Sequence, residues 1–100
     1  MVRFTLQKEY RPSLFQAASG ELDRVIAGIA KQLAGTVASR STVQIAGRRS
    51  RSYRVDYDGD KTEQIAFVLE GRTEYELLCR RKLAEPSTAC DTLFASFTLG

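Results

Sequence analysis

Ile65-Ala66-Phe67-Val68-Leu69 is apolar without a break, and this run constrains the fold more than any other part of the chain. Five residues is strand length, far short of the roughly 18 that a membrane-spanning helix needs. Side chains alternate across a strand, so such a run sends apolar groups to both faces of its sheet. Leu77 and Cys79 against Leu78 repeat the pattern in the segment that follows. Each face therefore needs something packed over it.

The remaining pattern supplies candidates. Val2, Phe4 and Leu6 alternate with Arg3, Thr5 and Gln7, the signature of a half-buried first strand that Arg11-Pro12-Ser13 stops. Leu22, Val25, Ile26, Ile29 and Leu33 recur at the spacing of one helical face, with Ser19 placed to cap its start and Gly35 to end it. Asp23 near the start and Lys31 near the end suit the helix dipole. Strands resume at Thr36, with Val43 and Ile45 before a Gly47 turn and Tyr53, Val55 and Tyr57 after it. A three-residue loop at Asp58-Gly59-Asp60 unites that row with Ile65, Phe67 and Leu69, whereas a two-residue loop would separate them. Burying those side chains outweighs two exposed ion pairs worth well under about 1 kcal/mol each. By the same reasoning a three-residue loop of Gly71, Arg72 and Thr73 aligns Leu69 with Tyr75, Phe67 with Leu77 and Ile65 with Cys79. Ser87 or Thr88, after Pro86, then caps a last helix carrying Cys90, Leu93, Phe94 and Phe97. The expectation is one α+β domain over residues 1–100: an antiparallel sheet of about five strands, a long helix in the N-terminal half and a C-terminal helix packed on the sheet. A cystatin-like helix-on-sheet wrap is the alternative.

The chain contains no histidine, which removes the commonest general acid/base and the commonest metal ligand together. No serine, threonine or cysteine has a visible base partner, and no glycine-rich strand-to-helix turn cradles phosphate. A non-enzymatic protein without cofactor or metal is expected. Asp56-Tyr57-Asp58-Gly59-Asp60 departs from a calcium loop, with glycine at the fourth position and Phe67 where a bidentate glutamate belongs; it reads as a hairpin turn. Asp56, Glu63, Glu74 and Glu76 are expected to pair with lysines and arginines on a sheet surface.

Fifteen Lys and Arg against 12 Asp and Glu leave a net charge of +3. Nine of the cations fall in two clusters, Arg40/Arg48/Arg49/Arg51/Arg54 and Arg72/Arg80/Arg81/Lys82. Arg48, Arg49, Arg51 and Arg54, with Tyr53 among them, are candidates for binding an anion or nucleic acid. Alternation sends Arg49 and Arg51 to one face and Arg48 and Arg54 to the other, which argues against a nucleic-acid surface and for a solvated strand.

Cys79 lies late in the fifth expected strand, and Cys90 opens the last helix after a connection long enough to turn back. A disulfide is expected, the alternative being two buried free thiols. Closing a loop of about 12 residues contributes about 3 kcal/mol in the chain-entropy model.

The segment from Thr42 to Leu99 resembles the PsbP-like α/β/α sandwich, the fold of the extrinsic photosystem II subunit and of a Ran-binding nuclear import factor. The likeness rests on Gly47 with Tyr53-Arg54-Val55-Asp56-Tyr57, on Gln64 to Leu69 leading to Gly71-Arg72, on Tyr75 to Cys79, and on Phe94-Ala95-Ser96-Phe97. It implies an exported bacterial protein or lipoprotein, some of which carry a cysteine pair placed like Cys79 and Cys90, and it carries over no catalytic residue. The expected role is a binding or assembly module presenting a sheet edge or loop to a protein partner, in an extracytoplasmic setting; cytoplasmic residence is the alternative. Any membrane association is expected to be peripheral and to come from a segment absent from this chain. A carrier of a small apolar ligand, held between helix and sheet, and an anion-binding protein are the other readings.

Overall fold

Alternating apolar and polar side chains form strands at Val2–Tyr10 (β1), Thr36–Ile45 (β2), Arg48–Asp56 (β3) and Lys61–Lys82 (β4), and helices form at Phe15–Gln32 (α1) and Thr88–Ala95 (α2). These elements are those of a computed structural model, which describes residues 1–99. The sheet is antiparallel in the order β1-β4-β3-β2. One face carries Tyr53, Val55, Ile65 and Phe67 against Leu22, Ile26 and Ala30 of α1. The other carries Ile45, Ala66, Val68 and Leu77 against Phe94 of α2. Both faces of the Ile65–Leu69 run are thus covered, and because α2 closes the second face, a helix-on-sheet wrap does not describe the architecture.

The expected count of about five strands is corrected to four, because strand pairing continues through the whole of Lys61–Lys82 and makes it one element. A straight strand of 22 residues would span about 70 Å at roughly 3.3 Å per residue, yet the longest dimension of the domain is 39 Å. β4 therefore doubles back. The Leu83 amide donates to the Asp60 carbonyl, and Arg80 Nε meets Glu63 Oε2 at 2.5 Å, so the arms of residues 61–69 and 74–82 lie side by side. Counting inward from the Asp60/Leu83 bond puts Ala66 opposite Leu77 and Val68 opposite Tyr75, and leaves Gly71 and Arg72 as a two-residue turn. Gly71 has φ +58, as the first loop position of such a turn demands. The expected three-residue loop is one residue too long, and the error flips a face: Tyr75, Leu77 and Cys79 join Ala66 and Val68 under α2, not Ile65 and Phe67 under α1. The turn region continues into β1, with Thr73 paired to Thr5 and Gly71 to Tyr10. β1 bulges between those pairs, and the Arg72 guanidinium donates to the freed carbonyls of Leu6 and Gln7 at 3.0–3.2 Å.

The loop at residues 58–60 has the expected three-residue length: Tyr53 faces Ile65, and the Tyr57 amide donates to the Lys61 carbonyl at 2.9 Å. Ser19 does not cap α1. The helix begins four residues earlier, at Phe15, after a 3-10 turn at Pro12–Leu14 whose proline presets the helical φ, and Ser19 is buried inside it with its hydroxyl unpartnered. At the C-terminus of α1 the left-handed residue is Ala34, at φ 56, not Gly35. Gly35 is needed for a different reason, since a Cβ there would stand 2.9 Å from Tyr57 Cδ1.

Cys79 and Cys90 are joined by a disulfide. Cys90 is 1% exposed, and beyond it Phe97 stacks its ring at 5.3 Å from that of Tyr75. The bond ties an eight-residue helix, too short to persist alone, to β4. A Cys79→Ser/Cys90→Ser variant should lose about 3 kcal/mol of unfolding free energy. Urea denaturation of the variant and the parent domain checks this; equal midpoints and slopes would contradict it.

Candidate binding groove

α1 is wide enough to cover only part of the sheet face on which it lies. Its buried stripe of Phe15, Ser19, Leu22, Ile26 and Ala30 sits over β2 and β3 and reaches Ile65 and Phe67 of the first arm of β4, leaving β1 and the second arm open on that face. The pairs Val2/Glu76 and Phe4/Glu74 place those four side chains on the face that α1 shares. Val25 and Ile29 flank the buried stripe of α1 on the same side. They remain 52% and 36% exposed, while Phe4 and Val2 are 44% and 41% exposed. Apolar side chains of α1 and of β1 thus border a trough from its two sides. At the end nearest the N-terminus of α1 the trough holds an open space of about 590 Å³, lined among others by Leu6, Tyr10, Ala18, Val25, Leu69 and Glu74.

The floor of this trough is acidic. Glu74 and Glu76 have no ion-pair partner among the described residues, contrary to the expected pairing. Partial burial, then the neighbouring carboxylate of Glu76 for Glu74 and of Glu63 for Glu76, hold both above the usual carboxylate range. Glu9 and Glu21 add charge on the rim beside Lys8, and the N-terminal ammonium partly offsets the shift of Glu76. Glu63 and Asp56 do pair, with Arg80 at 2.5 Å and Arg54 at 3.3 Å.

The four candidate anion-binding arginines are not brought together. Arg48 pairs with Glu70, and Arg49 stacks 4.2 Å above the Phe15 ring. Arg51 forks onto Asp23 through Nε at 3.1 Å and Nη2 at 3.2 Å, and donates to Thr42 Oγ1 at 3.3 Å. Arg54 leans along its own strand to Asp56. Each guanidinium has an intramolecular partner, Arg49 and Arg51 on the α1 face.

Sequence reasoning gave Asp23 only a helix-dipole role. In the structure it is the polar anchor of α1, accepting from the Tyr53 hydroxyl as well as from Arg51, with Arg40 Nη1 at 3.7 Å. The Arg51 hydrogen bond leads in holding its carboxyl below the ordinary value, while burial, then Asp23, pushes the Tyr53 phenol strongly upward. The signal was present in the recurrence of arginine and tyrosine on one face of β3, but their partner lies 28 and 30 residues away.

Comparison with protein-family models, curated proteins and solved structures returns no match. Among the described residues no helix is long and apolar enough to cross a membrane.

The two kinds of carboxylate give opposite pH behaviour. Asp23 is depressed in the folded state, so its contribution is complete above the unfolded value near 3.8 and is lost as pH falls through the folded value. Asp23→Asn should cost about 1–2 kcal/mol at pH 7, and the deficit should narrow progressively as pH falls below 3.8; denaturation at pH 7 and at a series of lower pH values reads both. Glu74 is raised above 4.5, so its ionised form opposes folding at neutral pH and that penalty is relieved as pH falls through the folded value. Glu74→Gln should therefore raise the pH 7 unfolding midpoint, with the gain fading in acid; a lowered midpoint at pH 7 would contradict this.

Proposed function

We propose that this domain is a non-enzymatic binding module of a bacterial exported or envelope protein, and that it takes an apolar, basic segment of a protein partner in the trough beside α1. The observation that carries this reading is the combination of two exposed apolar banks with an unpaired acidic floor. Val2 and Phe4 on one side and Val25 and Ile29 on the other leave apolar area exposed of the kind monomeric proteins ordinarily cover. Glu74 and Glu76 would disfavour a purely apolar occupant and favour one that brings cations to them. An amphipathic helix with lysines flanking its apolar stripe meets both demands. The disulfide supports an oxidising compartment, and the PsbP-like pattern of residues 42–99 adds support for export. The absence of histidine from the sequence supports a role without general acid/base chemistry.

A second reading, a carrier of a small apolar molecule, draws on one observation: about 590 Å³ between α1 and the sheet is within the usual size range of small-molecule sites. The trough is open to solvent along its length, which suits a peptide better than a sequestered ligand.

A fluorescently labelled helical peptide with a leucine stripe flanked by lysines should bind with a Kd on the order of 10 µM, and the Phe4→Ser/Val25→Ser double variant should weaken it about ten-fold. Both positions are exposed, so the fold should survive. The same peptide with glutamates in place of lysines should not bind. Failure of the lysine peptide at about 100 µM removes the proposal. A small molecule retained in native mass spectrometry, with peptide binding absent, would establish the carrier in its place.

A further inference from the structure

The C-terminal end of α1 borders a second opening, an open pocket of about 500 Å³ between Leu33 and the ends of the β4 arms. Its character is opposite to that of the acidic trough. Lys61 and Lys82 line it and form no ion pair among the described residues. Arg80 also lines it, using Nε on Glu63 while its side chain remains 81% exposed and its two Nη groups stay unbonded. Arg81 is turned away from such a role, donating to the carbonyls of Leu83 and Glu85 at 3.4 and 2.7 Å and so holding the turn after β4. Glu85, the carboxylate among the described lining residues, is drawn to the Lys82 amide at 3.4 Å. The lining thus holds three cations with donors to spare.

The pocket wall beside these cations is aromatic. Tyr57 stands in it, with its hydroxyl shut off from water next to the Glu63 carboxylate. Burial, then Glu63, raises the pKa of that hydroxyl, with Arg80 acting the other way. The Tyr57 ring reaches this position because Gly35 has no side chain to displace it. Its edge and the Leu33 side chain, 55% exposed, give the pocket an apolar wall.

We propose that this pocket is an oxyanion site, taking a carboxylate or phosphate borne on a small apolar body. The anion would lie among Lys61, Lys82 and the free Nη groups of Arg80, and rest its apolar part on Leu33 and the Tyr57 ring. The site is separate from the trough and does not depend on the protein-partner reading.

Isothermal titration calorimetry at low salt with hexyl phosphate, hexanoate and inorganic phosphate tests it. Hexyl phosphate and hexanoate should bind saturably, and inorganic phosphate about ten-fold more weakly than hexyl phosphate, since it lacks the apolar stem. Lys61→Gln/Lys82→Gln should weaken hexyl phosphate about ten-fold or more. Arg48→Gln, remote from the pocket, should change nothing. Absence of saturable binding by both hexyl ligands, or equal affinity in the lysine variant, would overturn the proposal. So would association with vesicles containing anionic lipid in the absence of hexyl-ligand binding.

Discussion

β4 is apolar toward both faces in its first arm, and its second arm returns beside it at a turn that Gly71 makes possible. The rest of the structure is arranged around that doubled strand. One residue with positive φ decides which side chains of residues 74–82 lie on the α1 face of the sheet and which on the α2 face. Because the two-residue turn places Tyr75, Leu77 and Cys79 on the α2 side, α2 has an apolar bed and a cysteine to bond. Glu74, Glu76 and Arg80 are placed on the α1 side for the same reason. The floor of the trough and one cation of the anion pocket therefore follow from the same turn.

α1 is held off-centre over this sheet by polar as well as apolar contacts. Asp23 draws the helix toward β3 and β2 through Arg51, Tyr53 and Arg40, while Leu22, Ile26 and Ala30 seat it on the apolar row. A charge-assisted fork of this kind is directional where burial of apolar area is not. A helix about 10 Å across cannot also reach β1, and the uncovered strip becomes a trough. The same interaction withdraws Arg51 from any external ligand, so the strongest cluster of positive charge in the sequence contributes to internal structure.

The strands and helices were legible because alternation and helical spacing are local. The loop at residues 58–60 was legible too, since Tyr53, Val55 and Tyr57 must share a core with Ile65 and Phe67, and only one loop length allows it. The same reasoning misplaced the next turn, because the first arm is apolar on both faces, so Tyr75, Leu77 and Cys79 find an apolar row beside them in either register and burial alone does not choose. Ser19 read as a cap because hydroxyl residues favour that position, but Pro12 had already started helical geometry upstream. Of the candidate site residues, the cysteines were paired correctly, their separation being short and their surroundings apolar. The internal partners of the candidate arginines were not legible, since Asp23 and Glu70 are distant in the chain.

The amino-acid order by itself determined an α+β chain with antiparallel strands, apolar on both sides at its centre, two helices and a bridging cysteine pair, because each of these follows from periodicity or short-range spacing. Only tertiary structure decided that β4 folds through a two-residue turn, that Asp23 anchors α1, and that acidic and basic openings flank opposite ends of one helix. Those outcomes depend on which face a side chain occupies and on how far a helix sits from a sheet edge. Neither quantity is a property of neighbouring residues.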